Sequence, residues 1–525
     1  MSNKFYGNLR EQREQWKRET LLGGRAPEDL DYRKFRERRG RPERYETPEL
    51  PLNKRFEGMW IVGSQGSGKT QFFKRQIRLD LDMVAAGRAS LFILDPTGDQ
   101  AEARDPDTGE FAESATLVHT ITRLRRFAKG GDLHRKLVYI NPEDHDYYVP
   151  INLFAIHADP DDEDAVDSVI ESYVSIINGL LGQTLTQFQD TVIRHAIIAT
   201  MAFPNPDLSK LREVLTVHPP ATTKYTPPTP IYQEILHKLH PDVQSYFHST
   251  YENQRETRNA VLARLASLTT SGKFRRIFTG ARMALNFPEL INEPRVVVVN
   301  ASREYLGALK ELYGRFFLSL LKRAGEARPS GSIPCFAYID ECDEFCKTDQ
   351  YAGEIIFKLR RKRVALTLGN QATNQVEHPV ARRAFFSTAI KLINLDEPDS
   401  AKEIAEALNL RSEGGKYDID HFLGRPAFDF AYYVRGMTKE PIPYRFKPGV
   451  LEADPAMNEE QWQEVYAEIR DRYYEPINRQ GSTTPAQAEI AATPRRPITP
   501  RPAPTPDPPI VEGSEGATVW DNDMT

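Results

Sequence analysis

The sequence has little cysteine and no long apolar run, and each shortage excludes a class of protein. Its only cysteines are Cys335, Cys342 and Cys346, so no disulfide framework spans the 525 residues and a reducing compartment, the cytoplasm, is expected. Cys342 and Cys346 are one helical turn apart, but the further ligand pair of a structural zinc site is missing nearby. No segment approaches the ~18 apolar residues of a membrane-spanning helix, so attachment to the inner membrane would require a partner.

An excess of charge of one sign is also missing. The formal net charge is −5, and with 27 % charged and 40 % hydrophobic residues the composition is that of an ordinary globular protein. Any surface for nucleic acid must therefore be local. At roughly 100–200 residues per domain, the length predicts two to four compact units.

The two ends of the chain differ from its middle. Residues 1–50 hold 13 basic and 10 acidic residues, which predicts a charged helical arm, either solvated or docking nucleic acid or an acidic partner. From residue 476 to 525, ten of the fifty residues are proline. Such a segment buries too little apolar surface to offset its ordering entropy, so we predict a disordered Pro-rich tail.

Short apolar runs in the middle of the chain alternate with helical stretches. This alternation predicts an α/β core with a mainly parallel sheet that is covered on both faces. The core is expected in two parts, residues 51–163 and 274–450, followed by a C-terminal helix at 451–475. The predicted strands are 59–62, 91–94, 136–140, 296–299, 335–339, 365–368, 390–395 and 427–434.

Helical spacing dominates between the two parts of the core. Apolar and aromatic residues recur there at i, i+3 and i+4, which predicts an all-helical domain inserted at residues 164–273. One predicted apolar stripe consists of Phe188, Val192, His195 and Ala199.

The strongest motif is a phosphate-binding loop between the predicted strand at 59–62 and a helical run. Its glycines let backbone N–H groups approach a phosphate chain at a helix N-terminus. Lys69 is expected to reach the β- and γ-phosphates of ATP, and Thr70 to hold Mg²⁺. The loop has the pattern G-x-x-x-x-G-K-T and consists of Gly63, Ser64, Gln65, Gly66, Ser67, Gly68, Lys69 and Thr70.

Paired acids follow a second apolar strand. Asp340 and Glu341 come directly after the run at 335–339, where one carboxylate can bind the water shell of Mg²⁺ and the other can polarise the attacking water. Asp95, at the end of the run at 91–94, is the rival carboxylate. An aspartate at the end of a strand is also common turn chemistry, so the sequence leaves the choice open.

The succession of motifs resembles the HerA/FtsK superfamily of hexameric nucleic-acid pumps, and within it the coupling ATPases of conjugative type IV secretion. The resemblance covers about residues 55–440. It departs from the family in lacking the usual two membrane-spanning helices and in having Thr97 where lysine is common. The pieces are the loop at 63–70, ILDPTGD at 93–99, YINPEDHDYYVPINLF at 139–154, VVVVNASREYLG at 296–307, FAYIDECDEF at 336–345 and RRKRVALTLGNQATNQ at 360–375.

The resemblance implies a RecA-like P-loop NTPase core and two further site residues. By position, Gln371 matches the glutamine that senses the γ-phosphate, and Arg360 matches the arginine that acts on the neighbouring subunit's ATP. Arg361 is a substitute for Arg360, and the simpler interpretation of both is a solvated basic helix end.

The implied function is an ATP-driven, ring-shaped DNA translocase in conjugative transfer. Its implied partners are DNA, identical subunits in a hexamer, and relaxase or secretion-channel proteins that meet the helical insertion. A viral genome-packaging ATPase or a HerA-like DNA-repair ATPase would share these motifs. A third hypothesis is a nucleotide-gated recruitment platform without enzymatic activity.

Overall fold

The structure, a computed structural model, describes most of the chain between its ends. The predicted arm at 1–50 lies outside the described residues apart from Pro48 and Leu50. The predicted tail at 476–525 also lies outside them, except for Ile477 and for Pro476, which ends a two-residue strand. The described residues are 48, 50–101, 103–104, 111–113, 115–154, several between 166 and 177, 186–216, 238–279, 283–346, 357–412 and 415–477.

Nine strands form one sheet, and seven neighbouring strands of that sheet are parallel. The strands are β1 (Met59–Gly63), β2 (Ser90–Asp95), β3 (Ala103–Arg104), β4 (Phe111–Glu113), β5 (Leu137–Ile140), β6 (Tyr147–Tyr148), β7 (Val296–Asn300), β8 (Cys335–Ile339), β9 (Val364–Asn370), β10 (Ile390–Asn394), β11 (Asp429–Val434), β12 (Ile442–Arg445) and β13 (Glu475–Pro476). The order in the sheet is β12-β11-β10-β1-β9-β8-β2-β7-β5. Strands β10 to β5 in this order run parallel, and β11 and β12 are antiparallel to their neighbours.

The prediction of an α/β core with a mainly parallel sheet is confirmed. Every residue of the seven parallel strands is buried, as expected for strands covered on both faces. Strand β11 matches the predicted strand at 427–434, but its antiparallel direction and its partner β12, which contains Pro443, were not predicted. At the edge of a sheet a proline is tolerated, because its missing N–H has no ladder partner to lose.

Helices cover the sheet. In the part of the chain that the structure describes, no helix is long and apolar enough to cross a bilayer. The helices are α1 (Leu52–Arg55), α2 (Lys69–Ala85), α3 (Leu117–Thr122), α4 (Gln187–Met201), α5 (Leu208–Thr216), α6 (Pro241–Ser249), α7 (Arg255–Thr269), α8 (Gly272–Phe278), α9 (Phe287–Asn292), α10 (Arg303–Leu306), α11 (Lys310–Glu326), α12 (Asp343–Cys346), α13 (Pro379–Phe386), α14 (Pro398–Ala407) and α15 (Glu459–Tyr473).

Two helices are important for the position of the site. Helix α2 starts at Lys69, within the phosphate-binding motif, and packs on β1 and β2. Its buried Phe73 lies against Tyr338 of β8. Helix α15 packs on the edge strand β5, where Trp462 and Tyr466 lie against Tyr139. Helix α15 is shorter than the predicted range 451–475, and β13 follows it and pairs with β6.

The described residues between β6 and β7 form helices but no strands. Helix α8 ends at Phe278, beyond the predicted end of the insertion at residue 273. The stripe on α4 is only partly correct: Val192 and Ala199 are buried and His195 stacks on Tyr246, but Phe188 is 68 % exposed. Phe188 lies in the first turn of α4.

Candidate functional site

The phosphate-binding loop joins the central strand β1 to helix α2. Gly66 and Gly68 have φ values of 77° and 102°, in the left-handed region that glycine adopts without strain. A Cβ atom at Gly63 would lie 2.6 Å from Ser67 Oγ, so the backbone there leaves no room for a side chain. The Lys69 Nζ folds back over the loop and donates to the Gly63 carbonyl oxygen at 2.8 Å. The contact of Lys69 with Gly63 thus closes the loop on itself.

Two residues far along the chain, Asn394 and Phe428, hold the loop from one side. The Phe428 N–H donates to the Ser67 carbonyl at 2.8 Å, and a Cβ at Gly68 would lie 2.5 Å from the Phe428 ring. The Ser64 N–H donates to the carbonyl of Asn394, the last residue of β10, at 2.9 Å. These contacts were not predicted, since no local sequence signal connects positions 394 and 428 to the loop.

A second segment holds the start of helix α2. The Gln71 side chain accepts from the Gly449 N–H at 2.8 Å and donates to Glu452 at 2.7 Å. The buried Lys74 Nζ also contacts Glu452, at 2.8 Å. The helix that begins with Lys69 is therefore fixed by residues that follow the last strand of the large sheet.

The paired acids lie beside the loop, as the parallel strand order requires. Thr70 Oγ1 donates to Asp340 Oδ2 at 3.1 Å, and the side chains of Lys69 and Asp340 are both buried. Burial raises the pKa of Asp340, although the charge of Lys69 opposes this shift. Asp340 therefore has both the position and the environment of a group that a cation would stabilise.

Glu341 and Gln371 complete this end of the sheet. Glu341 has a φ of 42°, and its N–H donates to Asp340 Oδ1 at 3.0 Å. Its carboxylate accepts from Gln371 Nε2 at 3.1 Å, across the adjacent ends of β8 and β9. Burial, followed by the charge of Asp340, raises the pKa of Glu341 to about 7. A carboxylate with such a pKa is well suited to accept a proton near neutral pH.

Asp95, the rival carboxylate, lies in the same crevice. It ends β2, next to β8, and is fully buried. Its Oδ1 accepts from the N–H and the hydroxyl of Thr97, whereas its buried Oδ2 has no hydrogen-bond partner among the residues that the structure describes. Burial and the nearby Asp340 raise the pKa of Asp95. The structure thus brings both candidate aspartates together instead of selecting one.

This donor set fits Mg²⁺. The hydroxyl of Thr70 and the carboxylate of Asp340 are hard oxygen ligands, and the unpartnered oxygen of Asp95 adds negative charge that a cation would offset. Within the described residues, no three His, Cys, Asp or Glu side chains form a metal cage. Mg²⁺ is usually held by one or two carboxylates together with substrate phosphates, so a cage is not required.

Arg360 lies at the opposite end of the sheet. It belongs to a 3₁₀ turn before β9, whereas Gln371 follows the other end of this strand. Seven residues of parallel strand span roughly 23 Å, so Arg360 and Arg361 cannot reach the loop of their own chain. The side chain of Arg360 is 52 % exposed and lies 3.4 Å from Glu57 Oε1.

The sheet order and the loop define a P-loop NTPase core, as the sequence motifs predict. No protein-family model and no curated protein matches this chain. Solved structures of the plasmid coupling protein TrwB do share its fold. The complex with ADP and Mg²⁺ has a TM-score of 0.54 at 13 % identity, covering 82 % of this chain and 94 % of that one.

Two further TrwB structures give similar values. The bacterial conjugative coupling protein TrwBdeltaN70 in complex with sulphate has a TM-score of 0.53 at 13 % identity, covering 81 % of this chain and 93 % of that one. The complex with the ATP analogue ADPNP has a TM-score of 0.51 at 12 % identity, covering 78 % and 92 %. The resemblance to coupling proteins drawn from the motifs is confirmed at the level of the fold.

Proposed function

We propose that this chain is an ATP hydrolase that works in a ring and moves DNA, similar to the coupling proteins of conjugative transfer. The observation that supports it is the convergence of Lys69, Thr70, Asp340, Glu341 and Gln371 at one end of the parallel sheet. The fold is shared with TrwB, of which solved structures contain ADP with Mg²⁺ or an ATP analogue. ATP and Mg²⁺ are therefore the proposed substrate and cofactor.

Each side chain has a distinct role in the proposed reaction. The N–H groups of residues 63–70 bind the phosphates, and Lys69 exchanges its contact with Gly63 for the β- and γ-phosphates. Thr70 and Asp340 hold Mg²⁺, which when bound neutralises charge on the phosphates. Glu341 orients the attacking water and accepts its proton, and Gln371 orients Glu341 and contacts the γ-phosphate.

Arg360 would act on the ATP of the neighbouring subunit. Its distance from the loop of its own chain excludes a role there, whereas its exposure at the opposite end of the sheet suits a contact across a subunit boundary. A guanidinium supplied in this way stabilises charge that develops on the transferred phosphoryl group, typically by ~10³–10⁵ in rate. Arg361, in the same exposed turn, is the alternative donor.

DNA, a hexameric ring, and relaxase or secretion-channel proteins are the proposed partners. In a ring a few Lys and Arg side chains per subunit are multiplied, so a net charge of −5 is compatible with contacts to phosphates. We propose that the helical insertion at 164–273 meets the partner proteins. The proposed location is the cytoplasm, with peripheral recruitment to the inner membrane.

ATP turnover with and without DNA tests this proposal. Lys69→Ala is expected to abolish nucleotide binding, and Glu341→Gln to retain binding while lowering turnover roughly 10²- to 10⁴-fold. Lys402→Ala and Glu406→Gln, at exposed positions on α14, are the matched controls and should behave as wild type. Turnover that ignores DNA, together with the absence of rings at micromolar protein, would favour the recruitment platform instead.

Mixing of variants tests the role of Arg360. Arg360→Ala alone should bind nucleotide and fail to turn it over. Addition of the Glu341→Gln protein should restore part of the activity, because its intact Arg360 then serves the intact ATP sites of the other variant. Arg88→Ala, at an exposed position just before β2 and thus at the same end of the sheet, is the control. Absence of rescue would move the role to Arg361 or another residue.

A further inference from the structure

Three charged residues from distant parts of the chain meet at the end of the sheet opposite the phosphate-binding loop. Glu57 lies two residues before β1, Arg360 lies in the turn before β9, and Arg435 follows β11. Strand β10 pairs with both β1 and β11, and β9 lies on the other side of β1. The sheet order therefore brings the three side chains together.

The Glu57 carboxylate is shared by three cations. Its Oε2 accepts from Arg435 Nη2 at 2.8 Å, and its Oε1 accepts from Lys54 Nζ at 3.1 Å and lies 3.4 Å from Arg360 Nη2. Burial alone would raise the pKa of Glu57, but the hydrogen bonds from Arg435 and Lys54 and the charge of Arg360 bring it below the usual value. Glu57 is therefore ionised at neutral pH.

The two arginines are held to different degrees. Arg435 is anchored twice, because it donates to Glu57 and, at 2.7 Å, to the Ser387 carbonyl. The contact of Arg360 with Glu57 is longer than a good N–H···O bond and is mainly electrostatic. Arg435 and Lys54 thus fix the carboxylate, whereas Arg360 is attracted to it without being clamped.

Arg360 also faces an open cleft of about 720 Å³. Four cations line this cleft, and Glu57 and Glu326 are its acidic residues, so the lining has a formal charge of +2 (4 − 2). A polyphosphate carries more negative charge than one carboxylate and would compete for Arg360. The cations are Lys358, Arg360, Arg361 and Arg435.

We infer that Glu57 is a positioning residue for Arg360: its carboxylate holds the guanidinium at the mouth of the cationic cleft and yields it to the triphosphate bound by a second copy of this chain. The inference rests on the proposed function, since it needs Arg360 to act across a subunit boundary. Glu57 does not touch the substrate. It limits the positions that an exposed, flexible arginine explores before the neighbouring subunit arrives.

The alternative is that Glu57 forms an ordinary ion pair that only links elements of the fold. An ion pair near the protein surface contributes little to stability, and its loss would leave turnover intact. The two interpretations predict different values of kcat for a Glu57 variant and different outcomes of mixing it with a second variant. Measurement of these two quantities distinguishes them.

The test compares Glu57→Gln with Glu326→Gln, which removes the same charge from the same cleft. For Glu57→Gln we expect kcat to fall roughly 10- to 100-fold with unchanged KM and unchanged nucleotide affinity, whereas Glu326→Gln should behave as wild type. Glu57→Gln combined with Arg360→Ala should be no slower than Arg360→Ala alone. Mixing Glu57→Gln with Glu341→Gln should restore activity, as expected for Arg360→Ala.

Several results would overturn the inference. The first is a wild-type kcat for Glu57→Gln, and the second is an equal loss of kcat for Glu326→Gln. The third is that mixing with the Glu341→Gln protein restores the activity of Arg360→Ala but not that of Glu57→Gln. If Arg360→Ala itself is not restored, the proposed role of Arg360 fails first. If a thermal melt shows that Glu57→Gln is unfolded, Glu57→Asp is used instead, because it keeps the charge on a shorter side chain. Glu57→Asp should lower kcat severalfold, and a wild-type kcat for this variant would refute the inference.

Discussion

Replacing Asp80 by asparagine is expected to destabilise the protein by about 3–5 kcal/mol, because it leaves a buried guanidinium without its counter-ion. Asp80, on α2, accepts from both terminal nitrogens of Arg55, at 2.9 and 2.6 Å, and from the Tyr338 hydroxyl on β8. The side chains of Arg55 and Asp80 are 5 % and 2 % exposed. Asparagine keeps the shape of aspartate, so the loss reports charge and hydrogen bonding and not a cavity.

Urea denaturation measures this cost. The midpoint for Asp80→Asn should fall while the slope stays unchanged, since the same surface is exposed on unfolding. Asp82→Asn is the control: Asp82 lies on the same helix, is 59 % exposed and pairs with Arg126, so about 0–1 kcal/mol is expected.

A double variant tests the reasoning more strictly. Replacing Arg55 by methionine and Asp80 by leucine removes both charges, and the pair of changes should cost less than Asp80→Asn alone. Equal urea midpoints for Asp80→Asn and Asp82→Asn would refute the argument. A double variant that is less stable than Asp80→Asn would also refute it. Because α2 carries Thr70 and β8 precedes Asp340, the hydrogen bond from Tyr338 to Asp80 also joins the two elements that position these side chains.

Three further predictions concern other parts of the chain. Burial lowers the pKa of Lys391 to about 7, so the unfolded state binds more protons than the folded state between pH 7 and about 10. The free energy of unfolding should therefore rise with pH over this range. In urea titrations, Lys391→Met should remove that slope and stabilise the protein at pH 7 by roughly 2–4 kcal/mol. Gly68→Ala should weaken nucleotide binding at least tenfold in a fluorescence titration, since its φ is 102° and the Phe428 ring fills the space; wild-type affinity would contradict the loop geometry. A chain ending at Ile477 should keep the melting temperature of the full chain, whereas a chain ending at Met457 lacks α15 and should melt several degrees lower. Equal melting temperatures for the two truncated chains would mean that α15 contributes nothing to the stability of the core.

The sequence predicts that the loop and the paired acids meet at one edge of the sheet, because parallel strands align their carboxyl ends. The motif at 63–70 follows one apolar strand and the acids Asp340 and Glu341 follow another, so a parallel sheet brings them to one edge whatever the strand order. The choice between Asp95 and Asp340 could not be made in this way. The order of the sheet decides that β2 and β8 are neighbours, and no local pattern encodes that order.

The opposite end of the site could not be predicted for the same reason. The resemblance names Arg360, but Glu57 and Arg435 are common surface residue types without a motif, and only the sheet order brings the three together. The contact of Phe428 with Gly68 is equally remote in sequence, and Phe428 adopts a φ of 66° that its residue type does not suggest. Local patterns fix elements and their ends, whereas contacts between distant loops depend on the assembled fold.

Among the described residues, both outer strands of the large sheet have features that disfavour pairing with a further strand. At one side helix α15 lies over β5, and at the other the four-residue strand β12 contains Pro443, which has no N–H to offer. In the proposed ring, a second copy of the chain is therefore expected to meet this one through side chains and not by prolonging the backbone ladder. Side-chain contacts can separate and re-form without breaking the hydrogen bonds between strands. Neighbouring copies can therefore shift against each other while the sheet of each copy stays intact.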